Sequence, residues 1–354
     1  MNNKNRFLFF MPDISGFTHF IKATEIDHSS HIVSELLEVL IDQEQLGLEL
    51  SEIEGDALFY YKQGEIPSPE QILNQCKDMY LKFHQHLKVY ERDRICHCGA
   101  CSTANKLGLK FIILIGEALV KEIHGRTQLM GVDVTAVHRL TKNNVPGHEY
   151  VLLSESKEDI FKDLPEDFFG SKKKMGESSY DELGKLEYFF YDLSDLSNKI
   201  PEPPKRRSNI KKIENPVLAS IEIERPMLEV HQHLINLNLR EKWKAKTGGN
   251  FHLPERVGTQ HFCVLPLGDI KVEVVAMEFS DNKILYIEQF EKKGLFSPAI
   301  TEIYILKSIG IGRCRINIEI HAFLNPILAP FFRALILKFG NAGLKKLKIL
   351  CEED

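Results

Sequence analysis

Apolar residues recur along the chain with the spacing of strands in some stretches and of helices in others. In the first half, strand-like runs lie among helix-like segments; the runs are RFLFFMP, LGLELSEIE, ALFYY, LKFIILI and EYVLLS. Helical spacing is clear from about Ser29 to Gln43, and again from Pro69, where Ser68 and Gln71 form an N-terminal capping box. This order predicts an α+β domain built around one sheet.

The second half predicts a different arrangement. A strand, LASIEIE, and a helix, EVHQHLINLNLREKW, precede the strand-like runs HFCVLPL, IKVEVVAMEF, ILYIEQFE, ITEIYILKSI and RCRINIEIHAF. A long apolar helix follows from about Pro326 to Leu350, and we expect its apolar face to pack mostly against the sheet; that face carries Leu328, Phe331, Phe332, Leu335, Ile336, Phe339, Leu344 and Leu347. The order predicts a curved antiparallel sheet covered by one C-terminal helix.

A segment rich in proline and basic residues separates the two halves. It reads LSNKIPEPPKRRSNIKKIENP, and its low apolar content favours extended, solvated chain. We predict domains at residues 1–195 and 216–354, joined by a linker at 196–215. The cluster KRRSNIKK could contact an acidic lipid surface or partner, but a run this short is more often a solvated linker.

Composition limits the function further. The net charge of -5 over 354 residues offers no general attraction to nucleic acid. No apolar run is long enough to predict a transmembrane helix, and the N-terminus lacks a small-residue cleavage site. Seven cysteines, three of them in CHCGAC, fit a reducing compartment better than a disulfide framework. We therefore expect a cytoplasmic protein.

Two carboxylates interrupt the strand-like runs of the first half. Asp13 ends the first run, in FMPDISGFT, and Asp56 follows Gly55 in EGDALF, between two other runs. Asp56 could simply shape a turn there. Carboxylates at strand ends can also supply the hard oxygen ligands that Mg²⁺ and Mn²⁺ prefer.

Taken together, these two segments resemble the metal-binding segments of class III nucleotide cyclases, the adenylate and guanylate cyclases. The resemblance covers roughly residues 5 to 193 and implies a ferredoxin-like cyclase domain. It implies that Asp13 and Asp56 hold two Mg²⁺ or Mn²⁺ ions, which orient a nucleoside triphosphate while its ribose 3′-hydroxyl attacks the α-phosphorus. It also implies that the nucleotide phosphates are bound by Ile14, Ser15, Gly16 and Phe17.

A third segment, LKFIILIGEALVKEIHGRTQLMGVDVTAVHRL, resembles the part of these cyclases that carries transition-state residues. Gly131, Val134 and Arg139 match the family pattern, whereas Thr135 replaces its asparagine. The resemblance implies that Arg139 and Thr135 act in catalysis, although Arg139 could instead be a surface arginine. In this family the site forms between two cyclase domains, so a chain with one such domain is expected to act as a homodimer.

The base-reading positions depart from the family. Glu52 and Gln128 lie where adenylate cyclases usually carry Lys and Asp, and a lysine that contacts the triphosphate has no convincing match. Glu52 could accept hydrogen bonds from guanine or be a solvated strand residue. Two hypotheses therefore remain: a nucleotide cyclase, or a catalytically inactive sensor that binds a nucleotide or an apolar ligand and signals through dimerisation.

The cysteine cluster allows several interpretations. Cys96, Cys98 and Cys101 have a C-x-C-x-x-C spacing that could bind Zn²⁺, with His97, His124 or a residue from a partner chain as the fourth ligand. A redox-sensitive loop and an inert reduced cluster are the alternatives.

The second half resembles the START-like, polyketide-cyclase-like superfamily with a helix-grip fold. The matching features are the strand and helix around IERPMLEV, the single Trp243 near LREKW, the run VGTQHFCVL, and the long final helix. The resemblance implies a cavity for a lipid or other apolar ligand between the sheet and the helix. His261 could face that cavity, but a satisfied or exposed histidine is the more ordinary interpretation. We find no acid–base pair in the sequence that would make this half an enzyme.

Overall fold

A computed structural model describes most of the chain; the described residues are 6–22, 26–95, 103–156, 160–203, 210–244, 247–248, 257–264, 269–291, 299–323 and 329–353. These residues form two compact units. The N-terminal unit holds the described residues up to Glu91 and from 103 to Pro203. The C-terminal unit holds residues 92–95 and the described residues from 210 onward. The domain limits at residues 195 and 216 stay a prediction.

The N-terminal unit is built on a mixed sheet of seven strands. Its strands, in chain order, are β1 (Arg6–Ser15), β2 (Glu49–Glu54), β3 (Ala57–Gln63), β4 (Gly108–Glu117), β7 (Tyr150–Glu155), β10 (Lys174–Tyr180) and β11 (Gly184–Asp192). Across the sheet their order is β10-β11-β7-β4-β1-β3-β2, and only β4 and β7 are parallel. Small ribbons complete the unit: β5 (Leu119–Ile123) with β6 (Arg126–Met130), and β8 (Asp167–Phe168) with β9 (Ser171–Lys172).

In the described part of this unit, four α-helices accompany the sheet: α1 (Phe17–Lys22), α2 (Ile26–Asp42), α3 (Pro69–Asp93) and α4 (Val132–Leu140). The predicted capping box is confirmed at α3, because the N–H of Ser68 donates to Oε1 of Gln71 (2.8 Å) and the N–H of Gln71 donates to Oγ of Ser68 (3.2 Å). Short 3₁₀ helices lie at Ala104–Lys106, Ile160–Asp163 and Ser194–Lys199.

The central strand β1 is apolar on both faces because it is buried on both faces. Alternate residues, Phe7, Phe9 and Met11, belong to a core cluster that also contains Ala136 and Val137 of α4. That face of the sheet therefore holds α4 in place. Asp13 continues the same alternation and lies on this face, at the end of the strand.

The C-terminal unit is built on an antiparallel sheet, as predicted. Its strands are β12 (Val217–Ile223), β13 (Thr247–Gly248), β14 (Gln260–Cys263), β15 (Ile270–Ser280), β16 (Lys283–Phe290), β17 (Ile300–Gly310) and β18 (Arg313–Ala322). Their order is β12-β18-β17-β16-β15-β14-β13. Its helices are α5 (Met227–Ile235), α6 (Leu237–Trp243) and the long α7 (Ala329–Glu353). The antiparallel sheet with a long C-terminal helix is confirmed; the helix-grip assignment stays a prediction.

Three local features differ from what the sequence patterns predict. The helix predicted as one segment is broken into α5 and α6, because the Asn236 side chain accepts hydrogen bonds from the N–H groups of Asn238 (3.0 Å) and Leu239 (3.2 Å) and caps a new helix. The hairpin of β10 and β11 was not predicted, since the polar segment KMGESSY shows no apolar strand face.

The third difference concerns α7. Leu344 and Leu347 are buried, but Phe331 is 69% exposed and Phe339 is 66% exposed, so the expectation that the apolar face packs mostly against the sheet is wrong for the first part of the helix. Gly340, near the middle of α7, faces Ile320 of β18. A Cβ there would lie 3.4 Å from Cδ1 of Ile320. The first half keeps bulky side chains that point outward.

Candidate metal and nucleotide site

The two predicted metal-binding aspartates lie close together at one edge of the N-terminal sheet. Strands β1 and β3 are antiparallel neighbours, and Asp13 pairs with Ala57, the residue after Asp56. The N–H of Ile14 donates to the carbonyl of Asp56 at 3.1 Å, which joins the two segments directly. Gly55, with a φ of 66°, makes the turn from β2 that delivers Asp56 to this edge.

The two carboxyl groups influence each other electrostatically. Burial, and after it the negative charge of Asp13, together raise the pKa of Asp56 to about 6. Burial also raises the pKa of Asp13, and the neighbouring Lys110 ammonium partly offsets this effect. Two partly buried carboxylates that repel each other provide a donor set suited to a hard divalent cation.

Lys110 is a part of this site that no sequence motif indicated. It lies on β4 directly across from Asp13, and its Nζ is 3.2 Å from Oδ2 of that residue. The same Nζ donates to the carbonyl of Thr141, also at 3.2 Å, at the end of α4. The only available signal was a single cation within the apolar run LKFIILI, since a buried strand rarely contains a lysine without a partner.

The segment predicted to bind phosphates follows Asp13 directly. Ile14 and Ser15 are buried, and the Ser15 hydroxyl already donates to the carbonyl of His148 at 2.5 Å. Gly16 has a φ of 86°, which turns the chain from β1 into α1 at Phe17. Backbone groups, rather than the Ser15 hydroxyl, therefore remain for a phosphate.

A cavity of about 440 Å³ opens beside this segment. It lies among α1, α2 and the turn between β2 and β3, and its lining includes Phe17, Val33, Leu37, Ile53 and Gly55. Because Phe17 and Gly55 also flank the aspartates, the cavity adjoins the candidate metal site.

The predicted transition-state residues lie elsewhere on the surface of α4. Both Thr135 and Arg139 are exposed, because α4 buries the opposite side, with Ala136 and Val137, in the core. Arg139 forms an ion pair with Glu182 (3.5 Å), and Thr135 donates its hydroxyl to the carbonyl of Gly131 (3.3 Å). Among the described residues, no ion pair joins Arg139 to either aspartate.

The predicted base-reading residues lie in different sheets of the N-terminal unit. Glu52 lies on β2 and Gln128 on β6, and both are exposed. The carboxylate closest in sequence to Asp56 on this strand, Glu54, is engaged instead by His138 of α4, at 3.3 Å.

The cysteine cluster lies outside the described residues, so Cys96, Cys98, Cys101 and His97 have no structural assignment. His124 is described and forms an exposed turn between β5 and β6. Within the described part of the chain, no group of three or more His, Cys, Asp or Glu side chains could hold a metal ion. Zn²⁺ binding therefore has no structural support.

Comparison with known proteins places the chain beside an uncharacterized relative. It is 30% identical over 178 residues to "Uncharacterized protein Rv2561/Rv2562" of Mycobacterium tuberculosis, a match that covers 48% of this chain and 78% of the relative. The chain belongs to the family of that mycobacterial protein. A family model described as "Protein of unknown function (DUF2652)" matches residues 33–150, which include Asp56, Lys110 and Arg139 but not Asp13.

Solved structures give weaker likenesses. The adenylyl cyclase CyaB of P. aeruginosa matches with a TM-score of 0.40 and 14% identity, over 57% of this chain and 96% of that one. The dimeric guanylyl cyclase domain of the RhoGC fusion protein of Blastocladiella emersonii has a TM-score of 0.36 and 15% identity, over 53% and 96%. The hypothetical protein jhp0584 of Helicobacter pylori has a TM-score of 0.34 and 18% identity, over 39% and 88%. Values this low carry no conclusion about activity.

Beyond the residues of the family model, the C-terminal unit contains a buried polar cluster that the sequence patterns did not indicate. Glu288 and Glu302 lie directly opposite each other on β16 and β17. Arg240 of α6 binds Glu288 through both terminal nitrogens, and Lys244 binds Glu302 and, at 2.6 Å, the hydroxyl of Tyr304.

Among the described residues of this region, several buried nitrogens have no hydrogen-bond partner. His261 is 0% exposed, and neither of its ring nitrogens is paired in the structure. Burial lowers the pKa of His261 to about 4, so the ring is neutral at physiological pH. Trp243 Nε1 and Arg240 Nε are also buried without partners. The expectation of a satisfied or exposed His261 is therefore wrong.

Finally, none of the helices in the described part of the chain has the length and apolar content needed to cross a membrane.

Proposed function

We propose that the N-terminal unit is a divergent class III nucleotide cyclase that converts a nucleoside triphosphate to a cyclic nucleotide and pyrophosphate. The observation that carries the proposal is the contact between Ile14 and Asp56, which fixes the two carboxylate-bearing segments at one sheet edge. The apolar cavity beside them leaves room for the rest of the nucleotide.

The side chains present suit two divalent cations. Asp13 and Asp56 would be the protein ligands for Mg²⁺ or Mn²⁺. The pKa of Asp56 is raised to about 6 because its ionised form is disfavoured, and a bound cation would stabilise that form. When bound, such cations neutralise charge on the phosphates and promote loss of the 3′-hydroxyl proton.

In this proposal, Lys110 neutralises negative charge during the reaction. The reaction forms a bond between the ribose 3′-oxygen and the α-phosphorus, breaks the bond from that phosphorus to the oxygen bridging to the β-phosphate, and releases pyrophosphate and a proton. Lys110 adds fixed positive charge beside Asp13, 3.2 Å from its carboxylate. Negative charge that develops on the phosphates is stabilised by such preorganised cations.

The proposed active form is a homodimer. Arg139 and Thr135 point away from the core on α4, so in this proposal they serve the site of a second copy. The ribbon of β5 and β6 and the first residue of α4 expose several large apolar side chains that a partner would cover: Leu119, Val120, Ile123 and Met130 of the ribbon, and Val132 of the helix.

Incubation with each of the four common nucleoside triphosphates and Mn²⁺ tests the proposal. We expect cyclic product from at least one of them, and a loss of at least about 100-fold in the Asp56→Asn variant, because a ligand of the cations is removed. Asp281→Asn, an exposed carboxylate in the turn after β15, is the matched control and should retain full activity. Equal rates for Asp56→Asn and the intact protein would rule out the proposed site.

The second candidate function is a nucleotide-binding sensor without turnover. It is favoured by Thr135 at the position of the family asparagine and by the ion pair of Arg139 with Glu182. A sensor would show Mn²⁺-dependent stabilisation by a nucleoside triphosphate in thermal unfolding, lost in Asp56→Asn, with no cyclic product. This result would replace the cyclase while retaining the site.

For the C-terminal unit, we propose that it binds an apolar ligand that carries one polar group. The support is the set of unpaired buried nitrogens of Trp243, His261 and Arg240 near a charge-compensated cluster. Trp243 is the only tryptophan of the chain, so its fluorescence reports on this region in the intact protein. Titration with dodecanoic acid should change the emission saturably, with His261→Leu weakening the response and His233→Leu, on α5, leaving it intact. No response to dodecanoic acid would contradict the proposal.

A further inference from the structure

The outward side of the long helix α7 combines exposed aromatic side chains with lysines that form no ion pair among the described residues. Phe331, Leu335, Lys338, Lys345 and Ile349 follow one another at intervals of three, four or seven residues, which places them in one stripe. The other side of α7 carries the buried Leu344 and Leu347. We call the outward stripe, with Phe339 and Lys346 beside it, the α7 face.

The apolar part of the α7 face is too exposed for an ordinary surface. Its two phenylalanines are about two-thirds exposed, at 69% for Phe331 and 66% for Phe339, and Leu335 between them is also exposed. Eight residues of helix separate the two rings, or about 12 Å along the axis. Exposed apolar groups grouped in this way are typical of a surface that docks on something.

The charges of the α7 face are all of one sign. Lys338, Lys345 and Lys346 are exposed, and none of them has an ion-pair partner within the described residues. By contrast, Arg333 donates to the carbonyl of Asn215, and Lys348 pairs with Glu352 (3.1 Å), so these cations stabilise the unit itself. No Asp or Glu occurs from Ala329 to Cys351, although the whole chain is acidic, with a net charge of -5.

We infer that the α7 face docks on an anionic lipid surface, with its phenylalanines entering the headgroup region and its lysines facing the lipid phosphates. Lysines interleaved with aromatic residues bind such surfaces by two additive effects, apolar burial and attraction to anionic headgroups. A second copy of the chain is a poorer occupant. A symmetric contact would bring two sets of the same lysines together.

Vesicle sedimentation with the full-length protein tests this inference. We expect binding to vesicles of phosphatidylcholine mixed with phosphatidylserine to be at least about tenfold stronger than to phosphatidylcholine alone, and to weaken as salt is added. Removing the aromatic groups, in Phe331→Ser with Phe339→Ser, should lower binding about tenfold. Removing the charge, in Lys338→Gln, Lys345→Gln and Lys346→Gln together, should abolish the preference for phosphatidylserine.

The controls use equally exposed positions at a distance in the same unit. Ile311→Ser and Lys307→Gln, at and before the turn between β17 and β18, remove the same kinds of group and should leave binding unchanged. Urea unfolding midpoints equal to that of the intact protein show that the α7 variants are folded, which their exposure predicts.

Several outcomes would overturn the inference. These are no binding of the intact protein to either kind of vesicle, equal binding to both kinds, or equal losses in the α7 variants and in the controls. Sedimentation without vesicles provides a further test. If the phenylalanine variant converts an oligomer to a monomer and lipid binding is absent, the α7 face is an interface between copies of the chain.

Discussion

At the scale of single residues, the position of Asp56 disfavours an ionised carboxylate in the metal-free protein, but it suits a carboxylate that binds a cation. Its pKa is raised from 3.8 to about 6, because burial and the charge of Asp13 both disfavour its ionised form. The contribution of this group to stability is therefore present at low pH and is lost as the pH rises from about 4 to 6. Ordinary carboxylates in ion pairs behave in the opposite way.

We therefore predict that Asp56→Asn stabilises the metal-free protein at neutral pH, by about 1 kcal/mol once its partial exposure is allowed for. The variant should also lose any stabilisation by Mn²⁺. Urea unfolding with and without Mn²⁺ measures both effects, and Asp281→Asn is the control. A variant that is less stable, or that still responds to Mn²⁺ like the intact protein, would contradict the prediction.

His261 gives a residue-scale prediction of pH dependence. The folded pKa of about 4 lies below the ordinary 6.5, so protonation favours the unfolded chain between these values. The free energy of unfolding should fall by up to about 3 kcal/mol as the pH drops through this window. Unfolding measured at several pH values should show a shallower decline in His261→Leu. An unchanged slope would mean that His261 titrates normally.

At the scale of elements, α6 and the residue after it contact the sheet through ion pairs of Arg240 and Lys244. Glu288 and Glu302 face each other across β16 and β17, an unfavourable pair unless each is neutralised. Burial by itself raises the pKa of the Glu288 carboxyl, but Arg240 outweighs burial and holds the pKa below its usual range. Arg240 thus compensates a charge that the sheet could not otherwise bury.

Removing one partner should therefore cost more than removing both. We predict that Arg240→Met lowers the free energy of unfolding by about 3–5 kcal/mol, since it leaves a buried unpaired carboxylate. Adding Glu288→Met should recover much of the loss. Urea unfolding of the two single variants and the double variant gives the coupling energy, and additive losses would show that the two residues do not interact as described.

Elements with strong local patterns could be predicted from the sequence. Apolar runs gave β1, β4, β16 and β17, and the capping box gave the start of α3. The hairpin of β10 and β11 has no such pattern, because its first strand is mostly polar. The break at Asn236 depends on a side chain that caps one helix rather than continuing another, a choice that helical periodicity does not show.

In the candidate site too, residues within local motifs could be predicted, and residues that depend on strand pairing could not. Motifs indicated Asp13 and Asp56, and the strand register brings them together. The pairing of Lys110 with Asp13 depends on which strands are neighbours, and these residues are far apart in sequence. The buried cluster was missed for the same reason: Arg240 and Glu288 are separated by 48 residues and meet only in the folded unit.

At the scale of the whole molecule, two incomplete chains should complement each other. If the site takes Asp56 from one copy and Arg139 from another, a mixed dimer of Asp56→Asn with Arg139→Ala contains one intact site. After subunit exchange of equal amounts, activity should reach about a quarter of that of the intact protein, whereas each variant alone is nearly inactive. A cyclic-nucleotide assay measures this activity. If mixing gives no gain in activity, either both residues act in the site of the same subunit or they do not act in catalysis.

Lys110 connects two parts of the N-terminal unit that the proposed chemistry would assign to different active sites. Its Nζ lies 3.2 Å from the carboxylate of Asp13 and donates, also at 3.2 Å, to the carbonyl of Thr141 at the end of the helix that carries Arg139. A divalent cation bound at Asp13 would compete with the Lys110 ammonium for the same carboxylate oxygen, and would thereby alter the contact of Lys110 with the end of that helix. Occupancy of one site would thereby affect the position of Arg139, which in the proposed dimer serves the other site.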